Sequence, residues 1–329
     1  MTWTLLHSAC EHLDAKSIYD RCKLGTNEPL EHDDHGSTPL HILAWGNPDP
    51  QLLQALVASC PVAVSDKDVH GDTALHVACS FPETTVKVVK VLLDACPTSV
   101  SMTNKEGLMP LHMACRFAPN NEAVIGYLID AYPCALRSRI KMGSPAPFRK
   151  RTSLRNKPGD HFVSREVGAT DFVEARFRTI TAQVRDGAYP LHMAIKAGAP
   201  TSVLEMMLKE ADDVMYMMDK FGQTPLHVAM ATQAEDGVIE MLVENGGMKA
   251  VLAKDKSENL PIHLAAIHGC SVRAAKGLLQ KCLPSIHEKN AAGLTIMDLA
   301  LESGKCGEDV LRLFEITKDE TQEEDEKKE

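Results

Sequence analysis

A four-residue pattern, Thr-Pro-Leu-His, recurs along the chain at an almost constant interval and constrains the fold more than any other feature. The last residue of each copy, histidine in all but one, is called the anchor here. Successive anchors lie 34, 35, 36, 80, 35, 36 and 35 residues apart. A repeat of this length predicts a stack of similar small units, each burying its apolar side against its neighbours. The copies are Thr4–His7, Thr38–His41, Thr73–His76, Met109–His112, Tyr189–His192, Thr224–His227, Leu260–His263 and Thr295–Asp298, the last with Asp in place of His.

The third repeat shows the order of elements within one unit. Asp68 and Gly71 are predicted to lie at the two ends of a turn, because an Asp side chain can hydrogen-bond the backbone two residues further on and Gly accepts a positive φ. Thr73 then stands at the N-cap of a short helix. Phe81–Glu83 breaks that helix, and a second, more apolar helix ends at Cys96, because a residue before proline avoids the α region. Each unit is therefore predicted to be a turn, a short helix, a loop and a longer helix.

The same turn precedes most of the first helices. Glycine in the turn predicts a positive φ, and proline at the first helical position is tolerated because its missing N–H has no partner there in any helix. Asp or Asn stands eight residues before the anchor at Asp33, Asp68, Asn104, Asp219, Asp255 and Asn290, and Gly five residues before it at Gly36, Gly71, Gly107, Gly187, Gly222 and Gly293.

These residues carry a family resemblance. Asp219–Ala229, which follows the pattern Asp-x-x-Gly-x-Thr-Pro-Leu-His-x-Ala, resembles the signature of the ankyrin repeat, and the resemblance covers about 285 residues. It implies an all-α solenoid of about eight helix-turn-helix units, with β-hairpin fingers at the turns and a concave groove that binds proteins. The longer period, and Cys-Pro or Tyr-Pro after the second helix, resemble the ankyrin repeats of large families in microalgae.

The anchor histidines and most cysteines are interpreted as structural. A histidine that stands in nearly every unit is expected to hydrogen-bond the adjacent Thr or the neighbouring turn. Cys10, Cys79 and Cys115 lie three residues after an anchor, where other units hold Ala, Ile, Met or Leu. Cysteine used as apolar filler indicates a reducing compartment. The His-x-x-Cys pairs offer only two of the four ligands that zinc needs, so no metal site is predicted.

Charge and motifs exclude several classes of function. The net charge of −10 argues against nucleic-acid binding over the whole surface. No segment is apolar for long enough to cross a bilayer, and the first anchor begins too early to leave room for a secretion signal. No phosphate-binding loop, nucleophile elbow or kinase motif is present. We therefore expect a monomeric intracellular protein in the cytoplasm, without catalytic residues, cofactor or metal.

The sequence divides into four segments. Residues 1–138 are predicted to form repeats one to four, and residues 184–317 repeats five to eight. Residues 139–183 form a basic insertion between them. Residues 318–329 contain seven acidic and three basic side chains, so this tail is predicted to be disordered. The second helix of the last repeat is expected from Glu308 to Ile316.

The insertion has ten basic and four acidic residues, a net charge of +6 against −16 for the rest of the chain. It is expected to be a long flexible loop rather than a degenerate repeat, although Thr170–Val184 is compatible with either a helix or a strand. It folds back onto the acidic scaffold, remains simply solvated, or presents its basic residues to phosphate, RNA or an acidic protein. The basic residues singled out are Arg149, Lys150, Arg151 and Arg155, which also resemble a nuclear localisation patch, and Thr152 and Ser153 are candidate phosphorylation sites.

Three functional hypotheses remain from the sequence. The first is a non-enzymatic scaffold or adaptor that binds proteins through the fingers and first helices. The second is a phospho-regulated adaptor, or a binder of acidic partners or nucleic acid, acting through the insertion. The third is a regulatory module of a larger assembly. Under the first, partner binding is assigned to variable fingertip pairs: Asp34 and His35, Val69 and His70, Lys105 and Glu106, Lys220 and Phe221, Ser257 and Glu258.

Overall fold

A computed structural model describes residues 4–25, 27–140 and 187–326, with side chains to residue 319. Residues 141–186, which include most of the insertion at 139–183, lie outside these ranges. The expectations for the basic cluster at 149–155, for the two phosphorylation sites within it and for a helix or strand at 170–184 therefore also fall outside the described residues.

All regular elements in the described ranges are helical, so the prediction of an all-α repeat fold is confirmed. None of these helices combines the length and apolar character that crossing a bilayer requires. The α-helices are α1 (Leu5–Glu11), α2 (Ala15–Lys23), α3 (Pro39–Trp45), α4 (Pro50–Ser59), α5 (Ala74–Cys79), α6 (Val86–Ala95), α7 (Pro110–Phe117), α8 (Glu122–Ala131), α9 (Pro190–Lys196), α10 (Thr201–Glu210), α11 (Pro225–Ala231), α12 (Asp236–Val251), α13 (Pro261–His268), α14 (Val272–Lys281), α15 (Ile296–Ser303) and α16 (Glu308–Glu326).

Proline follows the second helix directly in three repeats, at Pro61, Pro97 and Pro133. Cys60 ends α4 with φ −149° and ψ 81°, and the ring of the following proline disfavours the α conformation there. A short 3₁₀ turn, Pro61–Ser65, then leads into the next finger. Ala211 and Cys282 end α10 and α14 in nearly the same conformation, φ −154° and ψ 88°, although no proline follows them directly. In α12, Gly247 adopts φ 55° and ψ −155° and interrupts the helix without a proline.

The chain forms two compact units. Unit 1 comprises Met1–Ala78, Lys87–Met109 and Ile140–Arg185, and unit 2 comprises Cys79–Val86, Pro110–Arg139 and Asp186–Glu329. Within unit 1, α1 packs on α3 and α2 on α4. Within unit 2, the first helices pack in the order α7, α9, α11, α13 and α15, while α8 packs on α10 and α12 on α14. First helices therefore meet first helices, as in a solenoid.

The same apolar position contributes to the core in the first seven repeats. The leucine or isoleucine just before the anchor histidine is almost fully buried throughout the described repeats. Burying such a side chain stabilises a fold by about 1.5–3 kcal/mol. Because neither helix of one repeat could cover this position alone, the stack is needed for stability. The residues are Leu6, Leu40, Leu75, Leu111, Leu191, Leu226 and Ile262.

The fingers are shorter than the predicted β-hairpins. No β-strand occurs in the part of the chain that the structure describes. In the third repeat, the turn is closed by one hydrogen bond from the Asp68 backbone N–H to the Asp72 carbonyl oxygen, at 3.0 Å. This closure spans only five residues, Asp68 to Asp72, which leaves no room for a ladder of strand pairs.

The prediction of a disordered tail is wrong for residues 318–326. Helix α16 continues through Lys318 to Glu326, ten residues beyond the end expected at Ile316. Val310 and Phe314 are buried and hold the start of this helix in place. Glu, Gln and Lys are good helix formers, and extending a formed helix requires no new nucleation. The composition of the tail alone does not contain this information.

The repeats on either side of the insertion are direct neighbours. Helix α7 packs on α9, and α8 packs on α10. The Arg139 Nε donates a hydrogen bond to the Gly187 carbonyl oxygen at 3.1 Å, so the two sides of the insertion meet in unit 2.

Candidate functional site

The fingers are built from aspartate or asparagine turns that fix the backbone of the tip. The Asp68 Oδ1 accepts hydrogen bonds from the backbone N–H groups of His70 and Asp72, both at 2.8 Å. The Gly71 N–H donates to the Asp68 carbonyl oxygen at 3.0 Å. One carboxylate thereby satisfies two backbone donors that the turn leaves unpaired. The same double acceptance occurs at Asp33, Asn104, Asp219, Asp255 and Asn290.

Successive turns are also bonded to one another inside each unit. In unit 1, the Val69 N–H donates to the His35 carbonyl oxygen, and the Lys105 N–H to that of His70, at 3.0 and 2.9 Å. In unit 2, the Lys256 N–H donates to the Phe221 carbonyl oxygen at 2.9 Å. The tips therefore form rows in which the backbone is fixed and the side chains project from a common edge.

Glycine is required in these turns for two reasons. Gly71 has φ +79°, and a Cβ added there would lie 2.9 Å from the Lys105 backbone nitrogen. Gly222 repeats this geometry, with φ +78° and 2.9 Å to the Lys256 nitrogen. A side chain at either position would strain the backbone and push the next turn away.

The predicted partner-binding residues all lie in the tips. The exposed side chains among them are accessible to a partner, and the others are half-buried. Asp34, Val69, Lys105, Phe221, Ser257 and Glu258 are exposed, and His35, His70, Glu106 and Lys220 are half-buried.

One fingertip pair is out of register with the others. Glu258 stands where other turns have glycine and adopts φ 57°. The positions equivalent to Lys220 and Phe221 are therefore Lys256 and Ser257, so the sequence interpretation omitted Lys256. The signal was the spacing from Asp255 to the anchor, because counting three residues from Asp255 places Glu258 in the glycine position.

Phe221 is the most exposed aromatic ring among the tips. Its side chain is 50% exposed, and the Lys220 Nζ lies 4.7 Å from the ring centroid. This distance is within the range of a cation–π interaction, which orients both side chains. In unit 1, Lys105 is held differently, because its Nζ donates to the Val69 carbonyl oxygen at 2.6 Å.

The anchor histidines have the structural role that the sequence indicated. The Thr73 N–H and hydroxyl contact the His76 Nδ1 at 3.2 and 2.9 Å, and the Nε2 lies 3.0 Å from the Leu108 carbonyl oxygen. Since Nδ1 accepts from a backbone N–H, the proton is on Nε2, which donates to the carbonyl. Burial lowers the pKa of His76 to about 3 and that of His112 to about 4. Both rings are therefore neutral at physiological pH.

A buried carboxyl group was missed by the sequence interpretation. Asp72 is fully buried, and its Oδ1 accepts a hydrogen bond from the Asn104 Nδ2 at 2.8 Å. Burial, reinforced by the charge of Asp68, raises the pKa of Asp72 to about 8. The corresponding residue is Ser37, Leu108 or Gln223 in other repeats, so the repeat pattern contains no signal for this group.

Three of the ten cysteines are buried, six are half-buried and Cys134 is exposed. Cys10, Cys79 and Cys115 are buried, and burial raises the pKa of each thiol, so they act as apolar side chains. Cys60 and Cys96 are half-buried at the ends of second helices. In the residues that the structure describes, no three His, Cys, Asp or Glu side chains are grouped so as to hold a metal ion.

An open hollow of about 530 Å³ lies between second helices in unit 2, and Gly126 and Met206 contribute to its lining. A Cβ at Gly126 would come within 3.0 Å of the Met206 Sδ, so glycine allows the two helices to approach here. Glu122 and Asp130 line the rim. The hollow is wide and open, unlike the enclosed cleft of a small-molecule site.

Comparisons with known proteins agree with this architecture. Residues 40–138 match the sequence model of ankyrin repeats (3 copies). The crystal structure of the human ASB11 ankyrin repeat domain is similar, with a TM-score of 0.57 and 20% sequence identity, over 85% of this chain and 97% of that one. At this identity the likeness shows the fold alone. No curated protein matches the sequence significantly.

Proposed function

Since this chain is an ankyrin-repeat protein, we propose that it is a non-enzymatic scaffold or adaptor that binds a protein partner through its fingertips and first helices. Ankyrin repeats generally mediate protein–protein interactions. The observation that supports this role here is the row of bonded turns. The Asx residues and turn-to-turn hydrogen bonds hold the backbone, while the tip residues differ from repeat to repeat. A rigid edge with variable side chains loses little entropy when it binds.

Affinity capture with matched variants tests this function. Lys105→Glu combined with Phe221→Ala alters two exposed tips in turns whose backbone bonds do not need those side chains. The control combines Lys90→Glu with Val272→Ala, which reverse the same charge and truncate an apolar side chain at exposed positions on second helices. We expect the tip variant to lose partners that the wild type and the control capture from native cell extract. Equal capture by all three, with folding intact, would contradict the proposal.

A second candidate function rests on charge. The segment 139–183 carries +6 on a chain whose remainder carries −16. Such a segment attracts acidic proteins or phosphate, and phosphorylation at Thr152 or Ser153 would remove much of its charge. Deleting 144–170 separates the two candidates. Loss of a captured protein favours the insertion, whereas unchanged capture favours the fingertips.

The setting of this function is also a proposal. A reducing compartment, the cytoplasm, follows from the buried apolar role of Cys10, Cys79 and Cys115. Entry into the nucleus through the basic cluster at 149–151 is the alternative location. Fluorescence microscopy of the tagged chain, with and without Arg149→Ala and Arg151→Ala, distinguishes the two. Co-purification at fixed stoichiometry would indicate instead a subunit of a larger assembly.

A further inference from the structure

Two neighbouring fingertips in unit 2 form a distinct patch. Its members are Met218, Lys220 and Phe221 in one turn and Lys256 in the next, named here the tip cluster. Met218 and Phe221 are 43% and 50% exposed, and Lys256 is also exposed. Large apolar side chains left exposed beside each other commonly mark a site of interaction. The Lys220 ammonium group lies over the Phe221 ring, and Lys256 adds a second lysine from the next turn.

The tip cluster is rigid before any partner arrives. The Phe221 N–H donates to the Asp219 Oδ1 at 2.8 Å, and its carbonyl oxygen accepts from the Lys256 N–H at 2.9 Å. The Lys220 Nζ lies 4.7 Å from the ring centroid of Phe221. Aromatic side chains held in this way are favoured as anchors at protein interfaces, because little freedom remains to be lost on binding.

Charge decides the kind of partner. Two carboxylates near the cluster are used within their own turns, because the Oδ1 atoms of Asp219 and Asp255 each accept two backbone hydrogen bonds. Lys254 is paired with Glu288 at 3.0 Å. Among the tip residues of these two turns, Lys220 and Lys256 exceed the single acidic side chain, Glu258. The tips of these two turns therefore present two lysines and one glutamate to a partner, on a chain whose net charge is −10.

From this arrangement we propose that the tip cluster binds a short acidic segment of a partner protein, with Phe221 and Met218 receiving an aromatic or aliphatic side chain flanked by carboxylates. The two ammonium groups pair with Asp or Glu on either side of that residue. Nucleic acid is a poorer match, because two lysines are too small a basic footprint to hold a polyanion against the net negative charge. This proposal rests on the proposed function and specifies its partner.

A peptide selection tests the occupant directly. The probe is a displayed library of random twelve-residue peptides, selected against the full chain, from which the enriched peptides are synthesised for anisotropy measurements. We expect enriched sequences to contain Asp and Glu around an apolar residue. Lys220→Glu combined with Lys256→Glu should weaken their binding by about tenfold or more, and binding should fall as salt rises. Phe221→Ala should weaken peptide binding at low salt and at high salt alike, because the loss of the ring does not depend on charge.

A matched control lies in the same unit. Lys209→Glu combined with Lys276→Glu makes the same change of charge at exposed positions on second helices, and peptide affinity should stay unchanged. Enriched peptides without acidic residues, or peptides that bind the tip variant as tightly as the wild type, would overturn the acidic occupant while leaving the fingertips as a binding edge. A labelled single-stranded RNA that displaces the peptides and binds more tightly would assign the cluster to nucleic acid. Failure to enrich any peptide, together with equal capture by the Lys105→Glu, Phe221→Ala variant, would overturn both proposals.

Discussion

The anchor histidine acts as a bridge between consecutive repeats. His76 bonds Thr73 at the start of its own helix through Nδ1, and Leu108 in the following finger through Nε2. All seven anchor histidines, from His7 to His263, make this second bond to a later backbone carbonyl oxygen. One side chain thereby caps a helix and positions the next turn, which explains why the position admits so little variation along the chain.

Removing one bridge should be costly. His76→Leu leaves the Thr73 N–H buried without its partner, which costs about 1–3 kcal/mol. It also removes one of the two hydrogen bonds to the Leu108 carbonyl oxygen, which still accepts from the Asn104 N–H. We expect the free energy of unfolding to fall by about 3 kcal/mol in urea titrations. The control is His12→Leu, since His12 is exposed and bonds only the Ser8 carbonyl oxygen. Equal and small effects of the two substitutions would show that the bridge is dispensable.

Asp72 should make stability depend on pH in the opposite sense to ordinary surface carboxylates. Its pKa in the folded protein is about 8, against an ordinary value of 3.8. The unfolded chain therefore releases this proton more readily, and stability present below pH 4 is lost as the pH rises toward 8. In Asp72→Asn the side-chain oxygen can still accept the hydrogen bond from the Asn104 Nδ2, whereas the amide group cannot ionise.

We expect Asp72→Asn to raise the free energy of unfolding by at least about 1 kcal/mol at pH 8 and to have almost no effect at pH 4. Urea titrations at the two pH values measure the difference. The Asn104→Ala variant serves as a check, because it removes the hydrogen bond to Asp72 without removing the carboxyl group. A benefit of Asp72→Asn that is the same at both pH values would exclude ionisation of Asp72 as its cause.

The two cases show what the sequence reveals about single residues. The role of His76 could be predicted because the same side chain recurs at the same position, so its environment is shared. The role of Asp72 could not be predicted, because a carboxyl group stands at this position only in the third repeat, although Asn259 and Asn290 form the equivalent side-chain hydrogen bond. The register error at Glu258 has the same origin, since an Asx residue still begins that turn but a residue other than glycine occupies its positive-φ position.

At the level of elements, the turn and the two helices were predictable because their signals are local. Threonine at the N-cap, proline at the first helical position and proline after the second helix each act within a few residues. The full length of helix α16 was not predictable from local signals, because its extension to Glu326 depends on the burial of Val310 and Phe314. The tail has the composition of a disordered segment but continues a helix that packing has already nucleated.

Glycine in the finger has a function that depends on the next repeat. Gly222 has φ +78°, and a Cβ there would meet the Lys256 nitrogen at 2.9 Å, whereas Gly293 has φ +77° and nothing within 4 Å of that position. Alanine at either site incurs backbone strain of about 1 kcal/mol. Only Gly222→Ala also pushes Lys256 away from the Phe221 carbonyl oxygen. We expect its free energy of unfolding to fall by about 1–2 kcal/mol more than that of Gly293→Ala.

Gly293→Ala is a close control, because the two glycines occupy the same turn position with almost the same φ. Chemical denaturation monitored by circular dichroism compares the variants. Amide hydrogen exchange at Lys256 adds a local readout, which should speed up in Gly222→Ala alone. Identical losses of stability would show that backbone strain, and not the bond between turns, sets the requirement for glycine.

At the scale of the whole molecule, the broken interval between His112 and His192 does not break the stack of unit 2. Helices α7 and α9 pack directly, as do α8 and α10. Arg137 and Asp213 add an ion pair of 2.6 Å between the same two repeats, and Arg139 bonds Gly187. A regular period predicts which repeats are neighbours, but the interval of 80 residues is compatible with a ninth repeat or a loop. Only packing decides that the flanking repeats touch.

This packing predicts that residues 141–186 are dispensable for folding. Joining Ile140 to Gly187 through two residues copied from Lys105-Glu106 gives this finger the length of the others. Shortening a loop of this size reduces its closure entropy by about 2–3 kcal/mol at most, so the free energy of unfolding should stay the same or rise within that limit. Circular dichroism should keep its helical signal. The comparison is Leu191→Ala, which removes a fully buried side chain between the flanking repeats and should cost about 2–5 kcal/mol. A loss on deletion as large as that of Leu191→Ala would mean that the inserted segment contributes to the core and that the direct contact of the flanking repeats does not suffice.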